Sequence, residues 1–338
     1  MGNFVNILIG FVTLFTTTFL TMYNISHVSP YTIESFIVGV AFIFTQLFWM
    51  IIMLNHTSIF FRIYFYKAPA RNALNDYPKV AIVIPTYKEP IEVLSRTVKC
   101  ALNQDYPEDK YRIVIVDDSP EEYVSEIRRL CEKNGEKISF LKRNNRDGFR
   151  AGALNVALET LDEDYMIVLD VDHAPKPEMI RTLVEYIHGS DYDVIMFPQY
   201  FSNMSISPVA YASSLCQIHD YLFNRKGRSV TNSAFCVGTN WIGKVSRIRD
   251  VGGFHDSSIV EDLSTSMILW HPNGIKIGFI EETLAEGLAP KTITAFENQQ
   301  YRWAYGTFKL VPEYLRVFRK LTGFQKFDYL NVFIWYLI

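Results

Sequence analysis

Two long stretches without a single charge constrain this chain more than any other feature. Residues 4–23 carry no charged side chain over 20 positions, and residues 36–54 carry none over 19. A helix of about 20 apolar residues crosses the hydrocarbon core of a bilayer. A core helix of that length in a soluble protein would show a polar stripe toward solvent, and neither run has a strong one. Two transmembrane helices are therefore expected. A cleavable signal peptide would need a basic n-region and a small-residue cleavage site. Only "MGN" precedes the first run, and "MYNISHVSP" after it offers no such site. "MGNFVN" also lacks the hydroxyl residue of a myristoylation signal. Lysine and arginine set orientation in membranes. Residues 24–35 have neither, whereas Arg62, Lys67 and Arg71 follow the second run. The short connector is thus expected outside, with the N-terminus and everything after residue 54 in the cytosol.

From about residue 76 to 289 the texture becomes that of a soluble α/β domain. "KVAIVIP" (79–85), "YRIVIVDD" (111–118), "KISFLKR" (137–143) and "DYMIVLDVD" (164–172) are short β-branched runs ending in polar residues. Helix-like patterns lie between them, at 91–103, 121–133 and 150–161. Such alternation implies βαβ units and a mostly parallel sheet. Ligands bind such sheets at the carboxyl ends of the strands. Further strands are expected at 193–199 and 275–281, and helices at 207–227 and 262–270. A helix-compatible region runs from 290 to 320, and residues 329–338 begin another apolar run. Ten residues cannot span a bilayer, so further membrane helices are expected beyond it. The division that follows is two membrane helices (1–58), a linker (59–76), the α/β domain (77–290), interfacial helices (291–325) and the start of another span (326–338).

The net charge of -3 gives no reason to expect nucleic acid as a partner. Cys100, Cys131, Cys216 and Cys236 form no CxxC pair and no metal spacing, which fits buried thiols in a reducing compartment.

Chemistry-bearing residues cluster at the strand ends. Asp170 and Asp172 are two apart, so in extended backbone both would face one side. Two close carboxylates suit a hard divalent ion such as Mg2+ or Mn2+, although a D-x-D alone is also a common solvated loop. In "RNNRDGFRAG" (143–152), Arg143, Arg146 and Arg150 bracket Gly148 and Gly152 at an expected helix start. Phosphate favours both features; a solvated basic loop fits the same letters. Glu261 and Asp262 precede a helix, where an acid is a good N-cap or could take a proton from a hydroxyl. In "FENQQYRWAYG" (296–306), Gln299, Arg302 and Trp303 fall at i, i+3 and i+4 and share a helix face. By pattern alone that stretch reads first as an interfacial helix with an aromatic anchor.

Taken together, the residues resemble a known family. Tyr87 follows a first strand, Asp117-Asp118 a second and Asp170-x-Asp172 a third. Glu261-Asp262 and Gln299-x-x-Arg302-Trp303 come next, before an apolar run. This order resembles the family 2 membrane glycosyltransferases with a GT-A fold, such as the cellulose, hyaluronan and chitin synthases. "FCVGTN" (235–240) and "VGGF" (251–254) resemble that family's acceptor-side segment. Two positions depart from the pattern: Val260, where threonine is common, and Gln300.

The resemblance implies a Rossmann-like GT-A domain joined to transmembrane and interfacial helices. It implies that Tyr87, Asp117 and Asp118 hold the base of a UDP-sugar, and that Arg150 sits near its phosphates. Asp170 and Asp172 would bind the ribose and a Mg2+ or Mn2+ ion. Gln299 and Arg302 would hold the diphosphate. Asp262 would be the general base, with Glu261, Trp303, Cys236 and Gly238 on the acceptor side. The implied reaction is an inverting hexosyl transfer to the non-reducing end of a β-glycan exported through the membrane. Glucosylation of ceramide or of a lipid carrier, by single transfer, is the alternative, and a catalytically silent subunit that binds nucleotide sugar is a third. Implied partners are the donor, a glycan or glycolipid acceptor and the lipid bilayer. Oligomerisation and accessory subunits depend on sequence beyond residue 338.

Overall fold

The computed structural model describes residues 12, 15–23, 26 and 32–337. Half of the first apolar run lies outside these, although residues 15–23 are helical. The second run forms α1, Ile33–Tyr64. Thr32 starts it with a capping box: its hydroxyl accepts the Ser35 N–H, and the Ser35 hydroxyl accepts the Thr32 N–H. Among the described residues α1 is the one helix long and apolar enough to cross a membrane. Its first half exposes Phe36, Ile37, Val38 and Phe44. Its last part is different. Ile52, Asn55, Thr57, Ile59 and Arg62 are buried against the rest of the chain. At 1.5 Å per residue the helix is about 48 Å long, well beyond the ~30 Å hydrocarbon thickness, which leaves that end free to dock.

The α/β domain is built on a seven-stranded sheet in the order β3-β2-β1-β4-β8-β6-β9. In chain order β1 is Val80–Thr86, β2 Tyr111–Asp117, β3 Ile138–Lys142, β4 Tyr165–Val168, β5 Ala174–Pro175, β6 Val194–Met196, β7 Tyr200–Phe201, β8 Trp241–Lys244, β9 Ile277–Phe279 and β10 Ala285–Gly287. Strands β3, β2, β1 and β4 run parallel, as do β6 and β9. Only β8 is antiparallel to its neighbours. A small second sheet, β5-β10-β7, flanks the main one. Helices α2 (Ile91–Leu102), α3 (Glu121–Lys133), α4 (Phe149–Thr160) and α5 (Met179–Ile187) cover its faces. The strands read as continuous apolar runs because both faces are covered. Ile82, Ile84, Ile113 and Ile115 pack to one side, and Ala81, Val83, Val114 and Val116 to the other.

Helix α6 (Pro208–His219) runs into a π-turn at Asp220–Arg225 and then Lys226–Ser229. After α7 (Val245–Asp250), α8 (Glu261–Ser264) enters a second π-turn, Thr265–Trp270. The helical region after residue 290 is divided into α9 (Ile293–Lys309) and α10 (Val311–Val317), with Pro312 in the first turn of α10. Helix α11 (Gly323–Trp335) returns to pack on α1.

One local expectation fails. The run 164–172 is not extended throughout. Strand β4 ends at Val168, and Asp170–Val171–Asp172 form a turn closed by the His173 N–H on the Asp170 carbonyl, 3.0 Å. The ladder stops because the Asp170 N–H is drawn to the Thr239 hydroxyl at 2.8 Å. The two carboxylates meet through a turn, not through the alternation of a strand.

Candidate active site

The carboxyl ends of β1, β2 and β4 are level with one another, and their loops form one side of a cleft. Thr86 closes β1 opposite Asp117 of β2. The Thr86 and Ser119 hydroxyls both donate to Asp117 Oδ1, at 2.8 and 2.6 Å. Asp117 is 0% exposed, so its carboxylate braces the two strand ends. Asp118 faces Arg143, whose Nε lies 2.9 Å from Asp118 Oδ1. Burial pushes the Asp118 carboxyl up, against the pull of Arg143 and Arg146.

The three arginines of 143–150 take three different positions. Arg143 is buried and donates to the Asp147 carbonyl at 2.7 Å, which holds the loop that starts α4. Gly148 caps that helix at φ 70, a left-handed conformation that glycine adopts without strain. Arg146 is exposed and lies flat on the Tyr87 ring, its guanidinium carbon 3.4 Å from the ring centre. Arg150 spans the cleft: Nη2 meets Asp170 Oδ1 at 2.6 Å and Nη1 meets Glu261 Oε1 at 3.0 Å. A Cβ on Gly238 would stand 2.8 Å from Arg150 Nη1, so the bare backbone of that residue leaves room for the bridge.

Asp170 and Asp172 offer ligand atoms within 4.8 Å of each other and of His173. The His173 Nδ1 is 3.0 Å from Asp172 Oδ1, and the Leu288 N–H donates to Asp172 Oδ2 at 2.9 Å. Burial would raise the Asp172 carboxyl, but these partners outweigh it and hold the group below its usual range. His173 is buried where Gly287 lacks a side chain, so it orients Asp172 from behind. The two carboxyl groups, each still partly exposed, form the hard oxygen donor set that Mg2+ or Mn2+ prefers. The residues therefore fit such an ion. Glu89, just past β1, faces the same pair. Burial and the charges of Asp172 and Asp170 raise its pKa.

Across the cleft, Glu261 and Asp262 open α8. Asp262 Oδ1 accepts the Leu263 N–H at 2.7 Å. Burial lifts both carboxyls above the usual range. Arg150 pulls Glu261 back down, while Arg225 and Arg150 oppose the rise at Asp262. Cys236 is buried and its thiol is pushed up, so it serves packing and not nucleophilic chemistry. Its N–H donates to the Ser266 hydroxyl at 2.9 Å.

Helix α9 carries the last three candidates. Thr292 caps it by accepting the Ala295 N–H. Gly306 lets α9 cross residues 259–260 closely, since a Cβ there would lie 2.7 Å from Val260 Cγ1. Trp303 is half-buried in the apolar cluster that holds Val260 and Leu263, the residues flanking Glu261 and Asp262. Arg302 is exposed and Gln299 half-buried. Among the described residues no hydrogen bond ties Gln299 or Arg302 to the carboxylates. Tyr301 (72% exposed) and Tyr305 (45%) stack on each other at the surface, and Phe308 is partly buried.

The geometry thus unites Asp170, Asp172, Arg150, Gly238, Glu261 and Asp262, with Trp303 packed beside the last two. It adds Glu89, His173 and Arg225, which the motif reading passed over. Glu89 and His173 were findable as neighbours of strand-end motifs. Arg225 carried no such signal.

Residues 81–252, half of the chain, match the family described as Glycosyl transferase family 2. The chain is 27% identical over 270 residues to the probable glucomannan 4-beta-mannosyltransferase 7 of Oryza sativa subsp. japonica, covering 76% of this chain and 46% of that protein. It is 26% identical over 315 residues to the cellulose synthase catalytic subunit (UDP-forming) of Xanthomonas axonopodis pv. citri (strain 306), covering 88% and 41%. The chain spans less than half the length of either relative. Among solved structures it is similar to the mannosyltransferase PcManGT from Pyrobaculum calidifontis in complex with GDP-Man and Mn2+, with TM-score 0.61, 17% identity, and 86% and 82% of the two chains covered. It is also similar to S. aureus TarS 1-349 in complex with UDP-GlcNAc, with TM-score 0.51, 14% identity, and 77% and 71% covered. These two likenesses are of fold.

Proposed function

The chain belongs to glycosyl transferase family 2, and from that premise we propose that this glycosyltransferase moves a hexose from a nucleotide sugar to the non-reducing end of a β-glycan, with inversion, at the cytosolic face of a membrane. One observation carries the reading: Arg150 joins Asp170 on the donor side to Glu261, the neighbour of Asp262, on the acceptor side. This bridge supports a donor site and a base that share one cleft. The cellulose and glucomannan relatives support a β-linked polymer as product, and the apolar α1 supports a membrane location. To this reading belongs a division of the chain into membrane helices, linker, GT-A domain, interfacial helices and the start of another span, with the linker beginning after Tyr64, where α1 ends, and not at residue 59.

In this reading Tyr87 and the Asp118 side of the strand-end pair receive the base, and Arg146 covers Tyr87. Asp117 sets that turn from within. Asp170 and Asp172 would hold Mg2+ or Mn2+, which when bound supplies positive charge to a departing diphosphate. Arg150, Gln299 and Arg302 would add to that charge at the phosphates. Trp303 gives the acceptor ring a flat apolar support, and Gly238 lines its approach, with the buried Cys236 behind it and not on the path. Asp262 takes the proton from the acceptor hydroxyl, and that oxygen attacks the anomeric carbon opposite the leaving group. Inversion needs a single base, unlike the paired carboxyls of glycosidases.

The test uses membranes that hold the full-length protein, given UDP-glucose, UDP-N-acetylglucosamine or GDP-mannose with Mn2+. Transfer from one of these, abolished by EDTA, is expected, with a product that resists lipid extraction. A single sugar on an extractable lipid would replace the polymer reading with the glycolipid one. Absence of nucleoside diphosphate release from all three donors would refute the proposal.

A pH dependence follows. Transfer needs ionised Asp262, and burial beside Glu261 raises its pKa. A base with a raised pKa works above that pKa and is lost as pH falls through it. The acid limb of the pH–rate profile is therefore expected above the ~3.9 of an exposed aspartate. An acid limb at or below that value would show that the base is another group.

A further inference from the structure

We propose that Arg225 is a positioning residue for transfer, fixing the acceptor-side peptide Phe235–Cys236 against the helix that bears Asp262. This rests on the glycosyltransferase reading above and adds a residue to it.

The geometry begins with the π-turn. In an α-helix, residues five apart point about 140° away from each other, given 3.6 residues per turn. In a π-turn the i→i+5 spacing closes. Asp220 and Arg225 are five apart in the turn Asp220–Arg225, and there Asp220 Oδ2 meets Arg225 Nε at 2.8 Å. Asn224 donates to the other oxygen, Oδ1, at 2.8 Å. The pair holds the guanidinium in place, buried, with its two terminal nitrogens left to use elsewhere.

Arg225 Nη1 donates to the Phe235 carbonyl at 2.9 Å, and its guanidinium lies 3.7 Å from the centre of the Phe235 ring. On the next atom pair along the chain, the Cys236 N–H donates to the Ser266 hydroxyl. Ser266 belongs to the second π-turn, the continuation of the helix that starts at Glu261 and Asp262. One peptide group is therefore gripped at both of its polar atoms by two π-turns. This peptide leads to Gly238, which borders the Arg150–Glu261 bridge. The rarity of π-turns makes two of them on one peptide a deliberate arrangement, and such turns recur at functional sites.

Charge points the same way. The groups that face Asp262 are Glu261 beside it, Arg150 from α4, Arg225 from the first π-turn, the Cys236 thiol and the Tyr336 hydroxyl at the end of α11. Arg225 is one of two cations in that set. It favours the ionised base, and removing it leaves Arg150 alone, already shared between two other carboxylates.

The experiment compares variants of the full-length protein in membranes, with whichever of UDP-glucose, UDP-N-acetylglucosamine and GDP-mannose the wild type turns over. Binding of the matching nucleoside diphosphate is measured alongside. Arg225→Gln is expected to lower kcat about 100-fold and to shift the acid limb to higher pH, with nucleotide affinity unchanged. Arg225→Lys keeps the charge, so the acid limb stays and part of the rate returns. Ser266→Ala lowers the rate without moving the limb. The double variant Asp220→Asn/Arg225→Gln removes the buried pair together and is expected to match Arg225→Gln. A wild-type kcat and acid limb in the double variant would overturn the inference. So would a loss of nucleotide affinity as large as the loss of rate, the mark of a merely structural role. A wild type that turns over none of the donors would overturn the glycosyltransferase reading itself, and this inference with it.

Discussion

Asp262→Asn is expected to lower sugar transfer about 10²–10⁴-fold, the range that a positioned general base supplies, while nucleotide affinity stays unchanged. Asparagine keeps the volume and the oxygen that accepts the Leu263 N–H. The local fold therefore has no reason to change, and the loss reports chemistry. Glu261 is a poor substitute, because its carboxylate is engaged by Arg150. Glu261→Gln should weaken that bridge and reduce transfer less than Asp262→Asn does. Rates are read as release of nucleoside diphosphate from membranes that contain the full-length protein, with binding measured separately by titration. Near-wild-type turnover in Asp262→Asn would remove this residue from the mechanism.

The largest expected effect on stability lies far from the cleft, at Asp328. Arg62 engages it with both terminal nitrogens, Nη1 to Oδ2 at 2.6 Å and Nη2 to Oδ1 at 2.9 Å. Asn55 donates to Oδ1 at 2.9 Å and Ser233 to Oδ2 at 2.5 Å. Arg228 Nε stands 3.8 Å from Oδ1. Asp328 and Arg62 side chains are 1% and 6% exposed. Removing one partner of such a buried pair costs about 3–5 kcal/mol, because the other charge remains desolvated and unpaired. Whole domains are stable by only ~5–15 kcal/mol, so Asp328→Ala consumes a large share. A drop of on the order of 10 °C in the melting temperature of the full-length protein in detergent is expected. The pair Arg62→Met/Asp328→Leu should lose less than Asp328→Ala, since no Arg62 charge is stranded. A melting point for Asp328→Ala within about 1 °C of wild type would show that this network contributes little.

The contrast between these two sites explains what could be read from sequence. Asp262 lay within a local pattern, an acidic pair before a helix, in a series of strand-end acids whose order resembles a known family. Strands β1 and β2 were legible because both faces are buried and their letters are almost wholly apolar. Strand β4 was overextended because "MIVL" leads into "DVD" without glycine or proline to mark the turn. The change comes from Thr239, which takes the Asp170 N–H from 69 residues away. Strand β8 went unread because "WIGK" holds a glycine and a single β-branched residue, and nothing local marks it as antiparallel. Arg62 and Asp328 are 266 residues apart, and each looks like an ordinary surface charge in its own segment. Arg225 was hidden for another reason. Its pairing with Asp220 at i+5 is off the α-helical period, so a search for helix neighbours at three and four would discard it. The sequence marks the groups proposed to meet ligand, and does not mark Arg225, Arg62 or Asp328, which brace the fold around them.

The junction of α1 with the domain has a mechanical meaning. Ile59 is buried where Gly227 leaves no room for a side chain, its Cγ2 only 2.7 Å from the place of a Cβ. Arg62 is clamped a turn further on. Two such fixings on one rod leave neither a swivel nor a slide between helix and domain. In a bilayer, α1 would act as a stator, holding the cleft at constant height and heading above the lipid. If a product must be advanced by one sugar per cycle, the moving part has to be sought inside the cleft. The first turns of α9, largely exposed from residue 293 to 298, are one segment beside it with few buried contacts.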